Sequence, residues 1–328
     1  MSEWKKVTLD QMGIISRGRS KHRPRNDARL FGGSYPFIQT GDIGSAGLYV
    51  TEYSQTYNEE GLAQSKLWEK DTLCITIAAN IADTALLAFP ACFPDSIMGF
   101  TPHKNIANVK FVKYCFDVLQ KDCQQISQGT AQDNLSWKKL STILFPCPPI
   151  EIQNKIATIL SRYDSLIENY QKQIKLLEES AQRLYKEWFI DLRFPGHENT
   201  KIVVGLPEGW EKKKVGDLLS KIKRTKQVSA NNYQISGLYP VIDQSRNYIA
   251  GYTDESECVL NVTIPYIVFG DHTRVLKYVP FSFAKGADGT QLIMSNDLER
   301  MPQSLFYNSL IEIDLSNYSY ARHFKYLK

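Results

Sequence analysis

The middle of the chain carries apolar side chains at alternating spacings of four and three residues. The run follows residues 146–149 (Pro-Cys-Pro-Pro), has Glu151 in what would be a first helical turn, and stops at residues 194–196 (Phe-Pro-Gly). Proline suits the start of a helix, and a glutamate there complements the helix dipole. The pattern predicts one helix over residues 150–192, about 60 Å long. The pattern is broken at one slot, Gln173, with Ile174 beside it. The apolar stripe consists of Ile152, Ile156, Ile159, Tyr163, Leu166, Tyr170, Leu177, Ala181, Leu184 and Trp188.

The other faces of this predicted helix are rich in Glu, Lys, Arg and Gln. Glu168 with Lys172, and Glu179 with Arg183, have the spacing and orientation of favourable ion pairs along a helix. A single helix of this length with one apolar stripe is not stable alone in water, so we expect the stripe to pair with another helix. The alternative is a core helix of one globular domain.

Two short segments before this helix are repeated, in the same order, after it. Residues 3–9 (Glu-Trp-Lys-Lys-Val-Thr-Leu) resemble residues 209–218 (Gly-Trp-Glu-Lys-Lys-Lys-Val-Gly-Asp-Leu). Residues 33–38 (Gly-Ser-Tyr-Pro-Phe-Ile) resemble residues 237–242 (Gly-Leu-Tyr-Pro-Val-Ile). The nearly constant offset suggests a duplicated domain; coincidence between strand-like segments is the alternative.

The repeat and the helix together predict the fold class. Short strand-like runs and one amphipathic helix, over residues 109–127, indicate mixed α/β domains. We therefore predict an α+β chain with two mixed α/β domains joined by a long helix of the coiled-coil type. The predicted boundaries are residues 1–146 for the first domain, 147–193 for the helical spacer and 194–328 for the second domain.

Composition favours a globular protein without a membrane span or a metal. Apolar residues make up 43% and charged residues 23% of the 328 residues, with a net charge of +4. Residues 1–9 are too polar for a signal peptide, and prolines and polar residues interrupt the most apolar stretch, residues 73–94. No Cys-x-x-Cys pair and no His spacing typical of a metal site is present. We expect reduced thiols and a cytoplasmic protein.

Positive charge is concentrated in two segments at corresponding places of the repeat. Arg and Lys in a loop suit contact with DNA phosphates, and Arg also pairs with guanine edges. The alternative is a solvated surface loop. The candidate DNA-binding residues are Arg17, Arg19, Lys21, Arg23 and Arg25 in the first segment and Lys221, Lys223, Arg224 and Lys226 in the second.

Two later loops of the second domain are small and polar. Residues 270–274 contain His272 and Arg274, and residues 286–291 end at Gln291. Such residues let a loop approach bases, so we add these three side chains to the DNA-binding candidates. A catalytic His272 beside Asp271 is the alternative, but no further carboxylate, Ser or Cys lies nearby in sequence to complete a catalytic set.

The signatures of DNA-modifying enzymes are absent from the sequence. There is no glycine-rich nucleotide or methyl-donor loop, and the only adjacent prolines, residues 148–149, lack the aromatic residue of a methyltransferase motif. The sequence also lacks a convincing nuclease motif, which would be an acidic cluster followed by Lys. We therefore expect a non-catalytic chain that holds no cofactor; an enzyme with a degenerate nuclease or methyltransferase site is the alternative.

Several motifs together resemble the specificity subunit of Type I restriction-modification systems. The first motif is Leu-Pro-Glu-Gly-Trp at residues 206–210, where the second domain starts. A shorter form of it, Glu3-Trp4, stands at the start of the first domain. Residues 129–135 (Gly-Thr-Ala-Gln-Asp-Asn-Leu) and 144–153 (Leu-Phe-Pro-Cys-Pro-Pro-Ile-Glu-Ile-Gln) resemble the family's domain end and helix start. The helix continues as in the family, and two later segments are similar to its domain ends. These remaining matches are Ile156-Ala157, Leu160, Asp164 and residues 286–291 and 321–324.

The resemblance implies a DNA-reading role. Each domain would read one half of a split site in double-stranded DNA, with the helices fixing the gap. Two methyltransferase subunits and restriction/motor subunits would be partners. The complex would use S-adenosylmethionine, ATP and magnesium, none of them held by this subunit.

One feature of the family is missing from the sequence. The family has a second helix after the second domain, and this chain ends about where that helix is expected to begin. The stripe from Ile152 to Trp188 would then pair with the same helix of another copy or with a methyltransferase helix. A truncated, inactive specificity subunit and a coiled-coil adaptor without DNA readout are the alternatives.

Overall fold

The structure is a computed structural model that describes residues 4–78, 81–127, 135–223, 225–317 and 322–327. Backbone contacts divide the chain into a first unit, Met1–Gln173, and a second unit, Ile174–Lys328. This boundary falls inside the long helix, whereas the sequence-based boundaries lie on either side of it; those boundaries stay a prediction.

The first unit contains eleven strands and six α-helices among its described residues. The strands are β1 (Lys6–Val7), β2 (Gly13–Arg17), β3 (Phe31–Phe37), β4 (Tyr49–Val50), β5 (Gln55–Tyr57), β6 (Leu67–Trp68), β7 (Leu73–Thr76), β8 (Thr84–Leu87), β9 (Ala91–Cys92), β10 (Ile97–Pro102) and β11 (Phe145–Pro146). The helices are α1 (Leu9–Met12), α2 (Thr40–Ser45), α3 (Glu59–Ala63), α4 (Val109–Ser127), α5 (Trp137–Leu140) and α6 (Ile150–Tyr185), the last of which ends in the second unit.

A five-stranded sheet in the order β2-β10-β7-β8-β4 forms the centre of the first unit. Successive side chains of a strand point to opposite faces, and here both faces are covered. Leu73 and Ile75 of β7 pack with α4, whose Phe116 is buried in the same cluster. Cys74, between them, packs on the other face in a cluster with Trp68. Burial on both faces explains why three apolar residues follow one another at the start of β7.

Helix α6 is attached to the first unit through polar contacts near its start. Gln153 is fully buried, and its Nε2 donates to the carbonyls of Ile106 at 2.9 Å and Pro148 at 2.8 Å. Its Oε1 accepts the backbone N–H of Asn108 at 3.0 Å. One turn later, Ala157 is buried in the core of the unit. The face of α6 that meets the first unit therefore follows residues 153 and 157, next to the predicted stripe.

The second unit contains nine strands and two further helices in its described residues. They are β12 (Ile202–Val203), β13 (Leu206–Pro207), β14 (Tyr239–Ile242), β15 (Gly251–Thr253), β16 (Val259–Leu260), β17 (Tyr266–Gly270), β18 (Leu276–Val279), β19 (Phe283–Lys285) and β20 (Thr290–Ile293), with helices α7 (Gln303–Ile311) and α8 (Phe324–Leu327). The main sheets have the orders β15-β14-β19-β16 and β18-β17-β20. Strand β17 alternates as β7 does, because Ile267 and Phe269 pack with α7 while Val268 packs on the opposite face.

The two units share a pattern of strand pairing. In the first, β3 pairs in parallel with β9, with Phe37 opposite Cys92; in the second, β14 pairs in parallel with β19, with Val241 opposite Ala284. The loops after β10 and β20 are also held alike. The N–H of His103 donates to the carbonyl of Met12 at 2.8 Å, and the N–H of Asn296 donates to that of Leu218 at 2.9 Å. These equivalent pairings are those of a duplicated domain.

The predicted fold class, a chain of mixed α/β domains with a long central helix, is confirmed. Helix α6 covers Ile150–Tyr185 and continues as a π-helical turn over Lys186–Ile190, close to the predicted end at residue 192. Helix α4 has the predicted bounds, residues 109–127. Among the residues that the structure describes, none of the helices combines the length and apolarity required to cross a membrane.

Candidate nucleic-acid interface

The first basic loop, residues 17–25, leaves the end of strand β2. Its backbone lies against the segment after β9, since a Cβ atom on Gly18 would come within 2.3 Å of the Pro94 carbonyl oxygen. Arg17, Arg19 and Lys21 are exposed. In the described parts of the chain their side chains have no ion-pair or hydrogen-bond partner. These three cations are therefore free to meet a ligand.

The last two arginines of the first basic loop are already engaged. Arg25 Nη2 lies 2.5 Å from an oxygen of Asp95, and Arg23 Nη2 lies 3.7 Å from the other. Arg23 Nη1 also donates to the backbone carbonyls of Ser20 at 2.6 Å and His22 at 2.8 Å. Contact of either arginine with DNA would have to compete with these interactions.

Asp27, just beyond the first basic loop, offsets positive charge near the loop. Asp27 accepts hydrogen bonds from the side chain and backbone of Arg29, and its carboxylate lies 2.8 Å from His22 Nε2. These contacts hold the pKa of Asp27 well below its usual range, and the hydrogen bond from the Arg29 side chain has the largest effect. The net positive charge of the loop is therefore concentrated at Arg17, Arg19 and Lys21.

The second basic loop, residues 221–226, occupies a related place in the second unit. Lys221 and Lys223 are exposed and line an open cleft of about 600 Å³. Lys226 is paired with Glu257, with 2.5 Å between Nζ and Oε2. Arg224 lies outside the described residues. Among the described residues of this loop, Lys221 and Lys223 are thus the available cations.

The two later loops meet beside the same cleft. Gln291 lines it and also a smaller pocket of about 350 Å³ that contains the exposed His272. Gln244 joins these loops, because its Nε2 donates to the carbonyl of Asp288 at 3.0 Å and its Oε1 accepts the N–H of His272 at 3.1 Å. The structure therefore brings Lys221, Lys223, His272 and Gln291 to adjoining pockets of one unit.

Arg274 and Asp271 hold the last part of the chain. Arg274 Nη1 donates to the carbonyl of Leu315 at 3.2 Å. The buried carboxylate of Asp271 accepts the N–H of Phe324 at 2.8 Å, and its backbone carbonyl accepts the N–H of His323 at 3.0 Å. The Asp271 carboxylate that could have served a catalytic His272 is thus used to orient helix α8.

Most of the predicted helix-pairing stripe faces solvent. Ile152, Ile159, Tyr163, Leu166, Tyr170, Leu177 and Leu184 are exposed, and Leu177 at 70% is the most exposed of them. Ile156 packs against the core of the first unit, and Trp188 is half-buried. Large apolar side chains in a row on a helix surface favour a partner, so the pairing role of the stripe stays a prediction.

The structure adds residues that sequence reasoning missed. Lys285, in strand β19, lines the cleft beside the second basic loop, and so does Thr290, which lies in the small polar segment 286–291 but was not itself a candidate. Within the described ranges, no group of three or more His, Cys, Asp or Glu side chains could hold a metal ion. The segment at residues 129–134 and the residue Ala321, both used in the resemblance, lie outside the described residues.

Comparison with known proteins gives one family. Residues 1–179 match the family model described as "Type I restriction modification DNA specificity domain". The MjaIX specificity subunit of Methanocaldococcus jannaschii is 28% identical over 226 residues, which are 66% of this chain and 52% of that protein. The EcoR124I/EcoR124II specificity subunit of Escherichia coli is 28% identical over 202 residues, 58% of this chain and 48% of that protein. The chain spans about half the length of these relatives.

A solved structure shares the fold. The S subunit of a Type I restriction-modification system from M. genitalium superposes with a TM-score of 0.54 at 15% sequence identity. The match covers 93% of this chain and 76% of that one. It supports the arrangement of elements described above.

Proposed function

Because this chain belongs to the family of Type I restriction modification DNA specificity domains, we propose that it recognises a DNA sequence for a Type I restriction-modification complex. It would do so without cutting or modifying DNA itself. Partner methyltransferase subunits, two in the resemblance, and restriction/motor subunits supply the chemistry, with S-adenosylmethionine, ATP and magnesium bound by those partners. Such a complex acts on the DNA of the cell, so the chain works in the cytoplasm.

The observation that carries this proposal is the recurrence, at related places of the two units, of cations that have no ion-pair partner within the described ranges. Arg17, Arg19 and Lys21 follow β2 in the first unit, and Lys221 and Lys223 occupy the related loop in the second. Unpaired Lys and Arg side chains bind phosphates by releasing condensed counterions, and Arg can also pair with guanine in the major groove. Arg23, Arg25, Arg224, Lys226, His272, Arg274 and Gln291 stay in the proposal as further contacts.

Two DNA-reading units in one chain favour a split target. Each unit would read one half-site, and helix α6, which begins in one unit and ends in the other, would set the gap. The exposed stripe of α6 is the proposed attachment site for a partner helix, either of a methyltransferase subunit or of a second copy of this chain.

Salt-dependent binding of the purified chain to duplex DNA tests the proposal. The logarithm of the binding constant should fall linearly with the logarithm of salt concentration, by about 0.9 for each phosphate neutralised. Incubation with DNA, magnesium and S-adenosylmethionine should give neither cleavage nor methylation. A chain that binds no duplex DNA at low salt would instead support the adaptor alternative, and turnover without partners would support the enzyme alternative.

A further inference from the structure

The cleft beside the second basic loop has an unusual lining. Among the described residues, its walls come from residues 216, 219–223, 225 and 227, from strands β19 and β20, and from residues 288, 289 and 324. Three lysines contribute, Lys221, Lys223 and Lys285, against one acidic residue, Asp288. A cleft of about 600 Å³ with this balance of charge is suited to an anion.

Lys285 is a partly buried cation whose position in the cleft is not explained by any contact that stabilises the fold. It ends strand β19, is half-buried, and burial lowers the pKa of its ammonium group. In the part of the chain that the structure describes, no carboxylate forms an ion pair with it. Lys277, nearby in sequence and also buried, differs, since its Nζ donates to the carbonyls of Asp243 and Asn247. A desolvated ammonium group without a counter-ion is stabilised by any anion that enters the cleft.

Two hydroxyl groups of the cleft point to the same kind of ligand. Thr290 is 2% exposed, and its buried Oγ1 has no hydrogen-bond partner among the residues that the structure describes. The Oγ1 of Thr225 is also buried and has no hydrogen-bond partner in the described part of the chain. Buried polar groups are almost always hydrogen-bonded, so unpaired hydroxyls lining a cleft indicate a missing acceptor. A hydroxyl can donate to an anionic oxygen.

The first unit shows that this cleft is not required by the fold. The carbonyl of Phe93 accepts the N–H of Arg19 at 3.1 Å, and the carbonyl of Lys285 accepts the N–H of Val228 at 2.9 Å. Phe93 therefore occupies the position equivalent to Lys285, where its ring stacks on Trp68 with 4.8 Å between centroids. The same fold is thus filled with hydrocarbon at this place in one unit and lined with polar groups in the other.

We propose that the cleft of the second unit holds one phosphate group of a nucleic-acid backbone, bound by Lys285 with the hydroxyls of Thr225 and Thr290. This inference rests on the proposed function and deepens it. The contact is asymmetric: it belongs to the second unit alone, and it fixes the position of the DNA beside Gln291 without reading bases.

Duplex binding by the full chain tests this contact, with Lys285→Met, Thr290→Val and Lys201→Met compared with the wild type. Lys201 is exposed and does not line the cleft, so Lys201→Met is the matched control for loss of one charge. Lys285→Met should weaken binding about tenfold and reduce the salt slope by about one. Thr290→Val should weaken binding without changing the slope. Unfolding curves should show that neither variant is less stable, because neither side chain has an ion-pair or hydrogen-bond partner among the described residues.

Inorganic phosphate provides an independent probe. In chains whose lysines carry carbon-13 methyl groups, the signal absent from Lys285→Met identifies Lys285, and phosphate should shift it. If the wild type binds no DNA but phosphate shifts this signal, the proposed function fails while the anion site stands. Wild-type affinity and salt slope in Lys285→Met would overturn the inference and leave the proposed function intact. If phosphate still shifted the Lys285 signal in that case, the cleft would be a site for a free anion and not for DNA. If phosphate caused no shift, the cleft would bind no anion.

Discussion

Gln153 Oε1 accepts the backbone N–H of Asn108 at 3.0 Å, and this contact ties the first turns of helix α6 to the segment before helix α4. The same side chain donates to two backbone carbonyls, so all of its polar atoms are used in a fully buried position. The helix is therefore held to the first unit by a polar anchor as well as by the apolar contact of Ala157.

Replacing this anchor should destabilise the first unit. Gln153→Ala leaves the N–H of Asn108 and two carbonyls without their partner, and it opens a small cavity. We expect the free energy of unfolding to fall by about 2 to 4 kcal/mol, measured by urea denaturation. Gln173→Ala, on an exposed turn of the same helix, is the matched control and should change it by less than about 0.5 kcal/mol. Equal stability of the two variants would show that the anchor contributes little.

A second contact of α6 predicts a pH-dependent effect. The hydroxyl of Tyr114 donates to the carboxylate of Asp164, and burial together with this carboxylate raises the pKa of Tyr114 above its ordinary value of 10. Tyr114→Phe should lower the free energy of unfolding by about 1 to 3 kcal/mol near neutral pH.

The sign of the pH effect follows from that shift. Because the folded pKa is the higher one, the stabilisation is complete below pH 10 and decreases as the pH rises above 10, where Tyr114 ionises in the unfolded chain. The difference between wild type and Tyr114→Phe should therefore shrink at high pH. Tyr163→Phe, which removes an exposed hydroxyl from helix α6, is the matched control.

The beginning of α6 shows how far sequence can predict the fold. The proline-rich start, the heptad spacing and the stop at residues 194–196 predicted the helix to within a few residues, because helix signals are local. They did not predict that Gln153 is buried, since a glutamine in a first turn normally faces water. Its burial depends on residues 106–108, which reach it only through the tertiary fold.

The arginines of the first basic loop should contribute unequally to DNA binding. Arg17→Ala and Arg19→Ala remove cations that have no partner among the described residues, whereas Arg25→Ala removes one already paired with Asp95 at 2.5 Å. If Arg17 or Arg19 contacts a phosphate, we expect its replacement to reduce the salt slope by about one. If it contacts a guanine, we expect the replacement to weaken binding by about 1 to 3 kcal/mol and to relax the preference at that base position. Arg25→Ala should have the smaller effect. Titrations over a range of salt would measure this order, and a reversed order would contradict the geometry of the loop.

The same loop marks what the sequence could not provide. Clustering of Arg and Lys predicted both basic loops, because a run of cations is visible in one segment of chain. The partner of Arg25 lies seventy residues further on in Asp95, and no local rule predicts such a contact. Lys285 escaped notice for a similar reason, since only the folded sheets bring it beside Lys221 and Lys223.

The cysteines should be nearly unreactive in the folded chain. Burial raises the pKa of Cys115 to about 12 and that of Cys123 to about 11, and it also raises those of Cys74, Cys92 and Cys258. Only the thiolate reacts with alkylating reagents, so iodoacetamide at pH 8 should leave these five unmodified.

The half-exposed Cys147 is the internal control for that experiment, because it should react first. Mass spectrometry should find all six cysteines modified in denaturant. Rapid modification of Cys115 or Cys123 in the native chain would show that the first unit opens far more readily than its buried core indicates.

The central claim, that this chain selects a split DNA sequence, is tested most directly by mapping methylated bases in DNA from cells that produce it with a methyltransferase subunit. We predict methylation at one sequence made of two short halves with a constant gap, and a change in only one half when the second unit is exchanged for that of a relative. Methylation that is the same with and without this chain, or that shows no paired sequence, would contradict the claim.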